Sequence, residues 1–292
     1  MIRFPTLILE RTKIPRIIFS IRSSKVAKIS SLMKKCYERG AWCFDLPSPQ
    51  HLETFHKLKQ LINDETLMGL CHVEAEEGVS LAGKPLHQFE LKVVSTIIKN
   101  IVPRDLVRYL FPAHSSYEVL TQKEIDRITF DSGRFDRAIS RFTPKDSPFL
   151  LLGEKYGDWL LALGRIDPLK EMVSRIRENG FIPIFSGQWA TYVLPKAKPL
   201  DVAAYAIPIN KKWSLFDFTR ACDLIKKFDK PVISLNPLAG GELLRKSEEA
   251  FAFLFEGLKI YAAIAEITSE EEFSRIAEVL EKVPPLIPLR KT

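Results

Sequence analysis

The chain is poor in the residues that build metal and disulfide sites. It has four cysteines and five histidines among 292 residues, and no two cysteines form a C-x-x-C pair. No H-x-H or H-x-D spacing is present either, so we expect no zinc site and no other bound metal. Isolated cysteines are typical of reduced thiols, which suits a cytoplasmic protein.

Long apolar runs and blocks of like charge are also missing. The most apolar late stretch, residues 250–267, is interrupted by Glu256 and Lys259 and falls short of the roughly 20 residues of a membrane span. The first residues lack the apolar core and cleavage site of a secretory signal. The net charge of +7 is spread along the chain among acidic residues. We therefore expect neither a membrane nor a nucleic acid as a partner.

The composition that remains is that of a globular protein. Hydrophobic residues make up 46% of the chain and charged residues 27%. Asparagine and glutamine are sparse while lysine, arginine and glutamate are common, a balance typical of thermophiles. The length fits one α/β barrel of about 250 residues, although length alone also allows two domains.

Buried runs alternate with amphipathic segments in the first quarter of the chain. Strands are predicted at 16–20, 41–45 and 66–72, and helices with apolar residues at 3.6-residue spacing at 24–40 and 50–62. A β-α-β-α-β order implies a parallel sheet with right-handed crossovers.

The alternation breaks after the third strand. Residues 74–157 are far longer than a usual connection. We interpret them as an insertion on the catalytic rim, where barrel loops grow without disturbing the core. Alternatively, one barrel strand lies inside this segment, at either Leu106–Leu110 or Phe149–Leu152.

The alternation then resumes to the end of the chain. Five further strands are predicted, at 158–164, 181–185, 201–209, 231–235 and 259–267. Together with the first three they make eight. The sequence thus predicts an α/β fold over 1–292, a single (β/α)8 TIM barrel with a large insertion after strand 3. Polar residues just past the strand ends would then meet at one mouth.

Several segments, taken in order, resemble the aldo/keto reductase superfamily. The stretch N-P-L-A-G-G-E-L at 236–243 resembles the family's loop after the seventh strand, and G-A-W-C-F-D at 40–45 its second strand. D-W-L-L at 158–161 resembles the fourth strand, and 178–187 the segment around the fifth. Residues 265–272 resemble the family's final strand and the start of the helix that follows it.

The resemblance implies a small-molecule substrate and NADP as cofactor. It implies these cofactor-binding positions: Ser186, Gln188, Asn236, Leu238, Gly240 and Gly241. Of the family's Asp, Tyr, Lys and His catalytic set, only Asp45 matches. The Tyr position falls at Gln50, with His51 beside it, the Lys position near Cys71 or His72, and the His position at Leu163.

The candidate catalytic residues are Asp45, His51, His72 and Arg165. An aspartate that ends an apolar strand needs a partner when buried, so Asp45 is either an acid–base group or a structural one. His72 titrates near neutral pH unless perturbed and suits proton transfer, or else is a satisfied rim histidine. His51 is alternatively exposed, and Arg165 either clamps an anion or pairs with Asp167.

Three functions remain open at this point. The first is a divergent NADP-dependent oxidoreductase in which His72 or His51 replaces the tyrosine as proton donor, with Asp45 orienting it. The second is a non-redox lyase, isomerase or hydrolase whose Gly240-Gly241 loop holds a phosphate or carboxylate. The third is a binding protein without catalysis, because barrels host many functions.

Overall fold

The computed structural model describes residues 4–101, 118–212 and 217–282. Its strands are β1 Thr6–Leu9, β2 Thr12–Pro15, β3 Ile17–Ile21, β4 Cys43–Leu46, β5 Met68–Glu74, β6 Val79–Leu81, β7 Lys84–Pro85, β8 Ile128–Phe130, β9 Phe149–Gly153, β10 Ile182–Ser186, β11 Ala204–Pro208, β12 Val232–Leu235 and β13 Ala262–Ile267. Eight of them close a parallel barrel in the order β3-β4-β5-β9-β10-β11-β12-β13. The predicted (β/α)8 barrel is confirmed.

Helices cover the outside of the barrel and its rim. They are α1 Val26–Glu38, α2 Pro49–Ile62, α3 Glu90–Ile101, α4 Gln122–Ile125, α5 Ser132–Ile139, α6 Glu154–Ala162, α7 Asp167–Glu178, α8 Ala190–Ala197, α9 Phe218–Lys227, α10 Ser247–Ala252 and α11 Glu270–Lys282. Short 3₁₀ turns and one π-helical turn, Phe253–Gly257, complete the described elements. None of these helices is both long and apolar enough to cross a bilayer.

The fourth barrel strand is not where the main interpretation placed it. The strand is β9, Phe149–Gly153, which pairs with β5 and β10, whereas residues 158–164 belong to helix α6 and the turn after it. A short apolar run fits a strand or one face of a helix equally well, and here Leu160 and Leu161 are buried from a helix. The resemblance of Asp158–Leu161 to a fourth strand is therefore wrong.

The insertion after strand 3 is accordingly shorter than predicted and runs from residue 75 to 148. It contains the small antiparallel sheet β7-β6-β8 and helices α3, α4 and α5. Its apolar residues, such as Val79 and Phe135, join the cluster between strands and helices. The alternative strand at 106–110 lies outside the described residues.

The barrel interior is packed and closed at one end. Inward-facing residues such as Leu70, Leu151 and Ile233 form one apolar cluster, joined by Leu9 and Ile14 of the β1–β2 hairpin. This hairpin plugs the end where the barrel strands begin. The opposite end, where the parallel strands finish, is left for polar residues, as in other barrels of this class.

Candidate functional site

Three polar side chains lie at the carboxyl end of adjacent strands and face the barrel axis. Cys43 and Leu70 belong to the interior cluster, and side chains two residues further along a strand point the same way. Those residues are Asp45 on β4 and His72 on β5. Ser20 on β3 is aligned with Asp45 in the strand register. Of the two residues near the predicted lysine position, His72 faces the axis, whereas Cys71 packs in the outer cluster.

These residues form a hydrogen-bonded chain. The Ser20 hydroxyl donates to Oδ2 of Asp45 at 2.7 Å, and Nε2 of His72 lies 2.6 Å from Oδ1 of Asp45. The other ring nitrogen of His72, Nδ1, lies 2.8 Å from Oε1 of Glu154. Ionised carboxylates only accept, so both ring nitrogens carry protons and His72 is an imidazolium.

Charge dominates the protonation of His72. Burial lowers the pKa of the ring, but the charge and hydrogen bond of Asp45, followed by those of Glu154, outweigh it and raise the pKa to about 10. The Asp45 side chain is 5% exposed and the His72 side chain 17% exposed, so the pair is weakly screened. At neutral pH the His72 ring is therefore a fixed cation between two carboxylates.

Glu154 reaches His72 through an unusual backbone turn. Gly153 has φ 128° and ψ −88°, and Glu154 itself has φ 52°. A Cβ atom at Gly153 would lie 2.4 Å from the carbonyl oxygen of Ser186, so only glycine fits. Sequence reasoning missed Glu154 because its strand was assigned to another segment; the signal was the glycine that ends the run Phe149–Leu152.

A third carboxyl group, that of Glu74, adjoins the hydrogen-bonded side chains. It is the last residue of β5 and its carboxyl lies within hydrogen-bonding reach of Glu154. Burial, then the hydrogen bond and negative charge of Glu154, raise the pKa of Glu74 to about 8. The hydrogen bond from His72 lowers the pKa of Glu154. At neutral pH one proton is thus shared by the two carboxyl groups and resides mainly on Glu74.

His51 is held elsewhere. It is buried near the start of α2, where Nε2 donates to the Ile21 carbonyl oxygen at 2.7 Å and Nδ1 lies 2.7 Å from the Ser48 hydroxyl. These two hydrogen bonds of His51 connect the start of α2 with the end of β3. This histidine is therefore not exposed, and Asp45 does not orient it.

Arg165 forms its hydrogen bonds with residues other than Asp45, His72 and Glu154. Its Nε and Nη2 atoms donate to the two carboxylate oxygens of Asp167 at 2.8 Å and 2.6 Å. Nη1 donates to the carbonyl oxygen of Ile125 in the insertion. Because helix α6, not a strand, precedes it, Arg165 does not follow a strand end. The bidentate pair with Asp167 accounts for its guanidinium.

Two predicted cofactor residues lie at the end of β10, Ser186 as its last residue and Gln188 just after it. Ser186 is fully buried, and its Oγ has no hydrogen-bond partner among the described residues. The backbone N–H of Gln188 donates to Oδ2 of Asp158 at 2.7 Å. Burial raises the pKa of Asp158 to about 7, against the effect of that hydrogen bond. Ser186 therefore keeps free bonding capacity, whereas the Gln188 N–H does not.

The loop after β12 satisfies its own N–H groups. Asn236, with φ 51°, accepts the Gly240 N–H on its side-chain oxygen at 2.6 Å. The Gly241 and Leu243 N–H groups donate to the carbonyl oxygen of Leu238 at 3.1 Å and 3.0 Å. Leu238 is buried beneath the loop. The glycines thus allow a tight turn rather than present free donors to an anion.

Among residues 4–101, 118–212 and 217–282, no three His, Cys, Asp or Glu side chains are arranged to hold a metal ion. Glu266 on β13 is 43% exposed and pairs with Arg22 at 3.4 Å.

Comparisons with known proteins give structural matches only. No protein-family model matches the sequence, and no curated protein matches it. An aldo-keto reductase from Bacillus halodurans in its holo form has a TM-score of 0.59 at 12% identity, covering 98% of this chain and 93% of that chain. A putative aldo-keto reductase from Pseudomonas aeruginosa has a TM-score of 0.54 at 12% identity, covering 92% of each chain.

A third structure agrees with these two. An aldo/keto reductase from Brucella melitensis has a TM-score of 0.56 at 9% identity, covering 95% of this chain and 93% of that chain. The predicted structural similarity to aldo/keto reductases is confirmed at the level of the fold. At such low identity the similarity shows the shared fold and not the roles of individual residues.

Proposed function

We propose that the chain is an oxidoreductase of the aldo/keto reductase kind, transferring a hydride between NADP(H) and a small carbonyl compound. The observation that carries the proposal is the imidazolium of His72, fixed between Asp45 and Glu154 where the barrel strands end. The structural neighbours support it, because they are aldo/keto reductases that cover nearly the whole chain.

Ser186 is the residue that best fits a nicotinamide cofactor. A buried hydroxyl without a partner costs free energy unless a ligand or water satisfies it. The carboxamide of a nicotinamide ring has both a donor and an acceptor, so the Ser186 hydroxyl fits that end of NADP(H). The Asn236–Gly241 loop offers a shaped wall, while its internal hydrogen bonds leave Gly240 and Gly241 without the predicted role of phosphate donors.

The hydrogen-bonded side chains Asp45, His72 and Glu154 suit the reduction of a carbonyl group. Bound NADPH would supply the hydride for the carbonyl carbon. As that carbon is reduced, its oxygen gains negative charge, which a preorganised positive charge stabilises. His72 provides a positive charge at a fixed position, because both of its N–H groups donate to carboxylates, which offset part of that charge, and Ser20 in turn fixes Asp45.

The test is nucleotide binding to the purified protein. NADPH and NADP⁺ are titrated separately while tryptophan fluorescence and melting temperature are followed. A ligand at 100 times its Kd stabilises the folded state by about 2.7 kcal/mol, so a clear rise in Tm is expected. No shift with either nucleotide at millimolar concentration would contradict the proposal and favour a non-redox enzyme or a binding protein.

The variant Ser186→Ala tests whether the nucleotide binds at the mouth of the barrel. Ser186→Ala removes a hydroxyl that has no described protein partner, so stability should be maintained or rise slightly. Nucleotide binding should weaken by roughly tenfold, the effect of about 1.4 kcal/mol. The matched control is Ser147→Ala, an equally buried serine just before β9 at the closed end, which should leave the Kd unchanged.

A further inference from the structure

The proposed reduction requires a group that donates a proton to the carbonyl oxygen. The tyrosine position of the resembling family holds Gln50. His72 is the weaker acid of the two candidates, because Asp45 and Glu154 raise its pKa to about 10, whereas the pKa of Glu74 is raised to about 8. The charge of His72 is useful only while both protons stay on the ring. The proton has to come from a neighbouring group.

We propose that Glu74 is the catalytic acid–base group, donating the proton to the carbonyl oxygen in reduction and taking it back in alcohol oxidation. This inference rests on the proposed function. Glu154 is then a positioning residue, which acts through its contacts with both Glu74 and His72.

The strand register brings Glu74 to the mouth. Glu74 lies two residues after His72 on β5 and therefore on the same, inward side. It is aligned with Gly153 in the parallel pair β5–β9, so the turn at Gly153 places Glu154 directly beside it. One carboxyl oxygen of Glu74, Oε2, is buried and receives no hydrogen bond from any described residue.

The surroundings keep this carboxyl protonated at neutral pH. Glu154 on α6 raises its pKa, Glu76 on the turn that follows β5 adds a smaller effect of the same sign, and His72 opposes both. Two further ionisable groups, Lys155 and Tyr156 on α6, interact electrostatically with Glu74, whose negative charge raises their pKa values. A carboxylic acid that stays neutral near pH 7 is suited to general acid catalysis.

The proposed step balances. With NADPH bound, the cofactor would supply the hydride for the new C–H bond and would itself be oxidised, and the carbonyl would be reduced to the alcohol. The O–H bond of Glu74 breaks and the O–H bond of the product forms. His72 stabilises the resulting carboxylate, while burial and the negative charge of Glu154 destabilise it and favour its reprotonation from water between turnovers.

The kinetic test compares Glu74→Gln with the wild type. NADPH oxidation is followed with glyceraldehyde and butane-2,3-dione as probes between pH 6 and 10. The wild-type kcat should fall above about pH 8. Glu74→Gln should lower kcat at least 100-fold and abolish that pH dependence, while the Kd for NADPH stays within twofold. Glu74→Asp should restore part of the activity.

A control and an independent readout complete the design. Glu65→Gln removes an exposed carboxylate paired with Lys145 and should behave as the wild type. Carbon-13 NMR of the glutamate side-chain carboxyls should show one group titrating near pH 8, absent in Glu74→Gln. The inference is overturned if Glu74→Gln keeps kcat within fivefold of the wild type, or if no glutamate titrates above pH 6. Failure of NADPH binding itself would instead contradict the proposed function.

Discussion

His72 on β5 and Asp45 on β4 meet across two adjacent parallel strands, with Nε2 of the imidazole 2.6 Å from Oδ1 of the carboxylate. Both side chains are largely buried at the carboxyl end of the barrel. The contact links the stability of the barrel mouth to the charge of a single ring. A buried pair of this kind makes strong predictions, because removing one partner leaves the other charge uncompensated.

We first predict that His72→Gln destabilises the protein by about 3 kcal/mol or more. The folded-state pKa of His72 is raised from 6.5 to about 10, so its contribution is fully present below pH 6.5 and lost as the pH rises towards 10. Urea unfolding at pH 6 and pH 9.5 measures the difference. The penalty of the substitution should shrink at the higher pH.

The control for His72→Gln is an exposed ion pair. Lys57 pairs with Glu53 on the surface of α2, with both side chains more than 60% exposed. Lys57→Gln should change the unfolding free energy by less than about 1 kcal/mol at either pH. Equal effects of the two substitutions would show that the buried contact is not special.

The second prediction concerns the turn that delivers Glu154. Gly153→Ala should destabilise the protein strongly, because φ is 128° and the new Cβ would meet the Ser186 carbonyl oxygen. Gly164→Ala is the matched control, since φ is 76° and nothing lies within 4 Å of its Cβ position; it should cost only about 1–2 kcal/mol of backbone strain. Chemical denaturation that ranks the two equally would contradict the clash.

The main elements of the barrel could be predicted from local patterns, and the errors have local causes. Seven of the eight strands were placed, because runs such as Val232–Leu235 are apolar on both faces and lie between amphipathic helices. The main interpretation placed the fourth strand at 158–164, since the five-residue apolar run Trp159–Leu163 is too short to reveal its period. The alternative at Phe149–Leu152 matches the observed strand.

The site was harder to predict than the fold. Asp45 and His72 were identified because each follows an apolar strand. Glu154 was not, because its position depends on the positive φ angles at Gly153 and Glu154. The burial of His51 depends on the Ile21 carbonyl, a long-range contact that no sequence spacing shows.

A third prediction uses Asp158, whose carboxyl is largely buried beside Gly187 and whose pKa is raised to about 7 by burial. A carboxyl with a raised folded-state pKa makes the protein less stable as the pH rises from about 4 to 7. Asp158→Asn removes that dependence. Its stability relative to the wild type should therefore improve by more than about 1 kcal/mol between pH 4.5 and 8, measured by urea unfolding. A constant difference across this range would count against a buried, titrating Asp158.

The fourth prediction concerns Arg16, just before β3. Its guanidinium is 1% exposed, lies 4.1 Å from the ring centre of Phe255, and has two donor atoms without partners among the described residues. Burial lowers its pKa to about 10, with Glu256 opposing. Arg16→Met should thus be neutral or stabilising in thermal unfolding. A loss of more than about 2 kcal/mol would show that the guanidinium is paired in solution.

The most direct test of the account is nitrogen-15 NMR of the histidine side chains between pH 5 and 11. The spectra of His72→Gln assign the His72 ring. We predict that both nitrogens of His72 stay protonated through neutral pH and that the ring titrates near 10. A His72 ring that loses its proton near the ordinary histidine value of about 6.5 would contradict the imidazolium held between Asp45 and Glu154.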